Sequence, residues 1–305
     1  MRHLLPIAIL SISLLNSCGE APSATQKSAA PLPPKASTPT RAIASIPPPP
    51  SATRATTAPF QAPLPQPIII IAGGFRSCPL LKVSPRFTMR DILDAQIRLL
   101  ASRVPGVRPM FFHTCFGHDK SQVRLISFDE PGTIQILNTE DYLDMLYTRV
   151  ARLERPVVYI TGHSYGGWLS MLMSLHFPAR VDVRVLNTFD AISPATCRPQ
   201  TFLDSIFTSP EYKQGRAVPG CNEAPMDFLP YDRQAVAERT QIWNNFFQTG
   251  FSLLHSSPIP EADLNLHGPE CGPGAHSRIT ENPGFIELSA RAVADDFVGL
   301  LRSRH

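Results

Sequence analysis

Ile68-Ile69-Ile70-Ile71-Ala72 is a run of apolar, mostly β-branched residues with no polar position in it. A strand with one face in water alternates. This one needs cover on both faces, as strands of a parallel sheet have when helices pack on either side. Gly73-Gly74 closes the run. The chain downstream must therefore supply further parallel strands and covering helices, and it does so in alternation. Thr88 to Arg103 carries Ile92, Leu93, Ile97, Leu99 and Leu100 as an apolar helical stripe and stops at Pro105-Gly106. Met110-Phe111-Phe112 reads as strand, with another around Val123 to Phe128. Thr139-Glu140 caps a helix reaching Arg155 through Leu143, Leu146, Val150 and Leu153. Pro156 to Thr161 is a second strand buried on both faces, and Gly167 to Phe177 an apolar helix. Val181 to Phe189, Gln241 to Phe247 and Leu264 to Leu266 follow as strands before a closing helix, Ile286 to Arg302. The pattern predicts one α/β domain over residues 68–305, a mainly parallel sheet with helices on both faces. Residues 198–235, rich in Pro, Gly and polar side chains, break the rhythm and are expected to form a small lid-like insertion.

Nothing before residue 68 can bury a core. Of the 305 residues 32 are Pro, about twice average usage, and Gly19 to Pro67 is dominated by Pro, Ala, Ser and Thr, with Pro47-Pro48-Pro49-Pro50 inside it. Such a stretch favours extended polyproline conformations and serves as a semi-rigid spacer, so residues 18–67 read as a linker. Residues 1–17 open with Arg2 and an apolar run from Leu4 to Leu15, too short for a membrane-spanning helix, as an export signal does. The sequence Leu15-Asn16-Ser17-Cys18 resembles a bacterial lipobox, which implies a signal peptide over 1–17, lipidation of Cys18 and anchoring in the cell envelope. Gly19 after it resembles outer-membrane sorting if the cell has two membranes. An ordinary signal peptide, giving a secreted or periplasmic protein, is the alternative. The near balance of 28 Lys+Arg and 25 Asp+Glu provides no basic surface for nucleic acid.

Gly162-His163-Ser164-Tyr165-Gly166-Gly167 joins a buried strand to an apolar helix. A G-x-S-x-G pentapeptide in that context is a nucleophile elbow: the Ser occupies a strained turn, and small residues on either side let strand and helix approach closely. No Lys follows as in a phosphate-binding loop. Here the chain resembles the serine α/β-hydrolases, specifically the bacterial lipase and esterase branch, over roughly 68–302. The resemblance implies an α/β-hydrolase fold, no cofactor, and Ser164 as nucleophile toward a small-molecule or lipid ester.

A neutral hydroxyl is a poor nucleophile, so Ser164 needs an imidazole to take its proton and a carboxylate to orient that imidazole. In this fold the order is Ser, acid, His, on loops after successive strands. Asp190 ends the Val181–Phe189 strand, and Phe189-Asp190-Ala191-Ile192-Ser193-Pro194 resembles the acid segment of lipase-like hydrolases. The more usual position one strand later offers only Asn244, Asn245 and Gln248; Glu261 and Asp263 are reserve acids. For the base, Ala275-His276-Ser277-Arg278-Ile279 resembles the family's His segment, with His267 the runner-up. His163 adjoins the nucleophile, but its side chain should point away from Oγ. The oxyanion donors implied by the family are the N–H of Tyr165, and of Phe75 or Gly74 in the loop after the first strand.

Without Cys18 five cysteines remain, and the expected bridges are Cys197–Cys221, closing the insertion, and Cys78–Cys115. His267, Cys271 and His276 could together reach a metal, but no fourth ligand accompanies them, and no metal is expected. Phe202, Leu203, Ile206 and Phe207 form an apolar face for an acyl pocket or lid, or simply bury the insertion. The expected activity is ester hydrolysis through an acyl-enzyme on Ser164, with Asp190 and His276. The same constellation would also serve a thioesterase, amidase or acyltransferase, and a non-catalytic surface lipoprotein binding a partner is the alternative of a different class.

Overall fold

The isoleucine run lies at the centre of a sheet. In the computed structural model, which describes residues 65–75, 89–116, 122–126, 134–197, 221, 223–225, 227–249, 254–270 and 274–303, it belongs to strand β1, Gln66–Phe75. Ile68 and Ile70 enter one apolar core and Ile69 and Ile71 the other, all four fully buried. At roughly 2–3 kcal/mol for each large aliphatic side chain removed from water, the run is a major contributor to the core.

Around it stand β2 (Met110–Phe116), β3 (Gln122–Ile126), β4 (Ile134–Asn138), β5 (Pro156–His163), β6 (Asp182–Phe189), β7 (Ile242–Phe247) and β8 (Leu264–His267). The sheet order is β4-β3-β2-β1-β5-β6-β7-β8. Pairing is antiparallel at β2–β3 and β3–β4 and parallel everywhere else. Helices α2 (Thr139–Ala151), α3 (Tyr165–His176) and α4 (Pro230–Arg239) place Tyr142, Leu169 and Val236 in the core of Ile68 and Ile70. Helices α1 (Arg90–Arg103) and α6 (Pro283–Arg302) cover the other face with Ile92, Leu100, Val293 and Phe297. A one-turn helix, α5 (Ala275–Arg278), precedes α6. The mainly parallel sheet with helices on both faces is therefore as the sequence pattern requires.

Several boundaries differ. β1 runs on through Gly73-Gly74, with a register shift against β2 between Gly73 and Phe75. The cap of α2 is Asn138, whose side chain accepts from Asp141 N at 2.8 Å, rather than Thr139-Glu140. That helix stops at Ala151, because Arg155 precedes Pro156, where the α conformation is disfavoured, and takes φ 53°. Strand β4 and helix α4 were not expected. β4 is a short edge strand with Ile136 exposed, and α4 buries Val236 on an otherwise polar sequence, so neither carries a strong period. Residues 230–235, read as the end of the insertion, are the start of α4, while 198–220 lie outside the described residues. So do Cys18, Cys78, Cys271 and the apolar residues Phe202, Leu203, Ile206 and Phe207. The Cys197–Cys221 bridge is present. Cys115 is disulfide-bonded as well.

Buried polar groups in the sheet satisfy one another, as they must away from water. Gln96 Nε2 of α1 and Asn187 Nδ2 both donate to Thr161 Oγ1, at 2.9 and 3.2 Å, and Asn244 Nδ2 donates to Asn187 Oδ1 at 2.9 Å. This row pins β5, β6 and β7 in register. His113, in register with Ile71, is buried, and desolvation lowers its pKa to about 3. The unfolded chain protonates this group near pH 6.5 and the folded one resists. Stability tied to His113 is therefore full above about pH 6.5 and is lost progressively as pH falls toward about 3. In His113→Leu the acid-side decline in unfolding free energy should be shallower by up to about 1.4 kcal/mol per pH unit, measured by urea denaturation at pH 7, 5 and 4.

Candidate active site

Strand β5 delivers Ser164 directly into α3, and Ser164 takes φ 58°, ψ −126°, a conformation L-residues avoid. Such strain persists only where surrounding contacts over-determine it. Here Ser164 N donates to Phe189 O at 3.0 Å, while its carbonyl accepts from Gly167 N at 2.9 Å and from Trp168 N and Ile192 N, each at 3.3 Å. The backbone on all sides is glycine for a steric reason. A Cβ on Gly166 would collide with the Ala72 carbonyl, and one on Gly162 with the Gly166 carbonyl and Ser170 Oγ. Gly74 faces the nucleophile itself: a Cβ there would stand 2.5 Å from Ser164 Cβ and 2.9 Å from its Oγ. The bulged end of β1 thus lies against Ser164.

Asp190 follows β6 at φ 46° and is completely buried. An ionised carboxylate only accepts hydrogen bonds, and this one receives four. Oδ1 accepts from Ser256 N at 2.6 Å and Gln248 N at 3.3 Å; Oδ2 accepts from Gln248 Nε2 at 2.9 Å and His276 Nδ1 at 2.6 Å. The structure therefore joins the acid and base chosen from sequence, 86 residues apart. With its proton on Nδ1, His276 presents Nε2 as an acceptor. That atom is buried and makes no hydrogen bond to Ser164 Oγ or any other described group. Nucleophile–base hydrogen bonds are often absent or poorly aligned in unliganded sites and tighten when substrate is bound.

The competing assignments are occupied elsewhere. His267 is exposed and sits 2.7 Å from Thr249 Oγ1. Glu261 pairs with Arg233 at 2.8 Å, and Asp263 accepts from Trp243 N at 2.8 Å. Among the described residues no three His, Cys, Asp or Glu side chains are arranged to hold a metal ion.

Two supports escaped sequence reasoning. Gln248 stands where a carboxylate was sought one strand after Asp190, and it serves Asp190 as a double donor. Its Nε2 also donates to Leu254 O at 3.0 Å, tying in the loop that carries Ser256. His163, expected to face neighbouring loops, packs on His276: its Nε2 lies 2.7 Å from His276 O, and the two rings are 4.6 Å apart. Tyr165, the residue after the nucleophile, donates its hydroxyl to Cys197 O at 2.6 Å.

A strand entering a serine at positive φ, with helix beyond it and a carboxylate and imidazole placed after later strands of the same sheet, is the arrangement of the α/β-hydrolase fold. No family model and no curated protein matches the chain. Among solved structures it is similar to Est1E from Butyrivibrio proteoclasticus, with 15% identity, covering 80% of this chain and 92% of that one, at TM-score 0.36. A carboxylesterase structure from the thaumarchaeon Nitrososphaera gargenis gives 15% identity, 79% and 92% coverage and TM-score 0.38. The Paleococcus ferrophilus monoacylglycerol lipase gives 13%, 77% and 96%, and 0.38. Similarity at this level assigns no activity, which has to be argued from the side chains.

The close contacts at the elbow are testable through stability. Gly166→Ala is expected to cost more than about 3 kcal/mol, because a rigid carbonyl must move. Gly299→Ala in α6, where an added Cβ meets nothing within 4 Å, should instead stabilise by up to about 1 kcal/mol. Denaturant unfolding of both variants reads the contrast.

Proposed function

We propose that the protein is a serine hydrolase of carboxylic esters that works through an acyl-enzyme on Ser164. The observation that carries this reading is the 2.6 Å hydrogen bond from His276 Nδ1 to a fully buried Asp190, which leaves a bare, buried imidazole nitrogen in the site of a strained serine. In the acylation step Ser164 Oγ attacks the ester carbonyl while His276 Nε2 takes its proton. Asp190 stabilises the imidazolium so formed. The developing oxyanion is met by the N–H groups of Tyr165 and of Phe75 or Gly74, each such donor being worth about 3 kcal/mol in a comparable hydrolase. Collapse expels the alcohol, which takes the proton from His276. Water, deprotonated by the same nitrogen, then releases the acid and regenerates Ser164.

The lipobox-like Leu15-Asn16-Ser17-Cys18 and the spacer after it support a lipid-anchored enzyme of the bacterial cell envelope, outer-membrane sorted where there are two membranes. Disulfides, which persist outside the reducing cytosol, support the same location.

A fluorophosphonate probe should label wild-type protein at Ser164 and leave Ser164→Ala unlabelled. Absence of labelling in folded wild type would remove the hydrolase reading. Ser164→Ala and His276→Ala are each expected to lower kcat at least about a thousandfold, with His267→Ala near wild type, measured on esters of short and long acyl chains. Growth with an alkynyl fatty acid should tag the wild-type protein and not Cys18→Ala; an untagged, soluble wild-type protein would point to a secreted or periplasmic enzyme.

A further inference from the structure

We infer that His163 is a positioning residue for the base: its Nε2–H, donated to the His276 carbonyl, sets the distance between the nucleophile and the imidazole that serves it. The inference rests on the hydrolase reading and extends it to a side chain outside the triad.

Three observations converge on it. First, His163 ends β5 and is covalently next to Ser164, while His276 lies on α5 after the last strand of the sheet. Through the sheet, the path from one to the other crosses β6, β7 and β8. His163 spans the same gap with one hydrogen bond of 2.7 Å between buried groups. Second, the acid secures only the ring of His276, through Nδ1. Within α5, Ser277 N and Arg278 N both donate to Gly274 O at 3.1 Å, which shapes the turn without tying it to the strand that leads into Ser164. A ring held at one nitrogen can still swing with its backbone, and the bond from His163 removes that freedom. Third, the chemistry of the bond fixes the state of His163. A carbonyl only accepts, so the proton must be on Nε2, and Nδ1 is left bare, buried and without a hydrogen-bond partner. Burial, and then the neighbouring His276, lower the pKa of His163 to about 3, so the ring stays neutral at working pH. A neutral ring packed at 4.6 Å does not oppose the imidazolium that forms on His276 during acylation, as a second cation would.

Two substitutions separate the hydrogen bond from the packing. His163→Phe keeps a ring and removes the donor; His163→Gln places an amide N–H at about the reach of Nε2. On a soluble short ester, p-nitrophenyl butyrate, His163→Phe is expected to lower kcat about ten- to a hundredfold, the range a displacement of about 1 Å produces, with KM within threefold of wild type. His163→Gln should recover at least tenfold of a hundredfold loss, or most of a smaller one. The fluorophosphonate labelling rate should follow kcat. Folded His163→Phe with kcat within threefold of wild type, or a folded His163→Gln as impaired as His163→Phe, would overturn the inference. A measurement free of substitutions and of turnover is the imidazole 15N NMR spectrum of the full chain between pH 5 and 8. There His163 should be neutral and protonated at Nε2; an Nδ1–H tautomer or an imidazolium overturns the proposal even if either variant fails to fold. The failures are distinguishable: unlabelled wild-type Ser164 sinks the hydrolase reading, whereas labelled wild type with an unaffected His163→Phe sinks only this one.

Discussion

A carboxylate shut away from water costs several kcal/mol unless the protein replaces its hydration shell with donors. At Asp190 that demand organises one end of the molecule. β6 must end so that the side chain turns inward, which it does at positive φ with its N–H on Phe246 O. The chain must run past the end of β7 to Gln248, and the loop 254–257 must return to offer Ser256 N. An asparagine ladder makes that return possible. Asn245 Nδ2 donates to Ser257 O at 3.1 Å and to Asn265 Oδ1 at 2.8 Å, while Asn265 bonds both N and O of Ile259. The fourth donor is the imidazole itself, so the requirement that solvates the acid also orients the base.

The nucleophile side depends on exclusion rather than attraction. Glycines at 162 and 166 let β1, β5 and α3 close to distances a side chain would forbid, Gly167 does the same against Ala191 after β6, and the carbonyls and amides so gathered hold Ser164 in its strained turn. Phe189 and Phe246 stack at 4.5 Å across β6 and β7 immediately before Asp190, with Phe285 of α6 at 4.8 Å from Phe246. Rigidity at the strand ends is thus supplied by packing on one face and by polar bonds on the other.

Much of this could be read before any coordinates. Ile68 to Ala72 demands a doubly covered strand, and the Gly-flanked Ser164 between strand and helix demands an elbow; both follow from local steric rules. Asp190 and His276 were singled out by resemblance to the acid and His segments of the family, and the structure joins the two by a hydrogen bond. What stayed illegible depends on distant partners or weak periods. Gln248 looked like the absence of a carboxylate, since nothing local reveals that its amide faces Asp190 across 58 residues. Nothing near His163 in the sequence reveals that its partner is the carbonyl of residue 276. β4 is a five-residue edge strand and α4 buries Val236 on an otherwise polar sequence, so neither imposes a period.

The Cys197–Cys221 bridge acquires a meaning from where its carbonyls point. Tyr165, beside the nucleophile, donates to the carbonyl of Cys197, and His255, one residue before the donor to Asp190, donates through N at 3.0 Å to that of Cys221. One covalent link therefore spans the two halves of the constellation. The bridge adds a covalent tie to the hydrogen bonds that already hold Ser164 against Phe189 and Ile192, on either side of Asp190. Cleaving that tie would leave the hydrogen bonds of Tyr165 and His255 to anchor on two separate chain segments instead of one cross-linked pair.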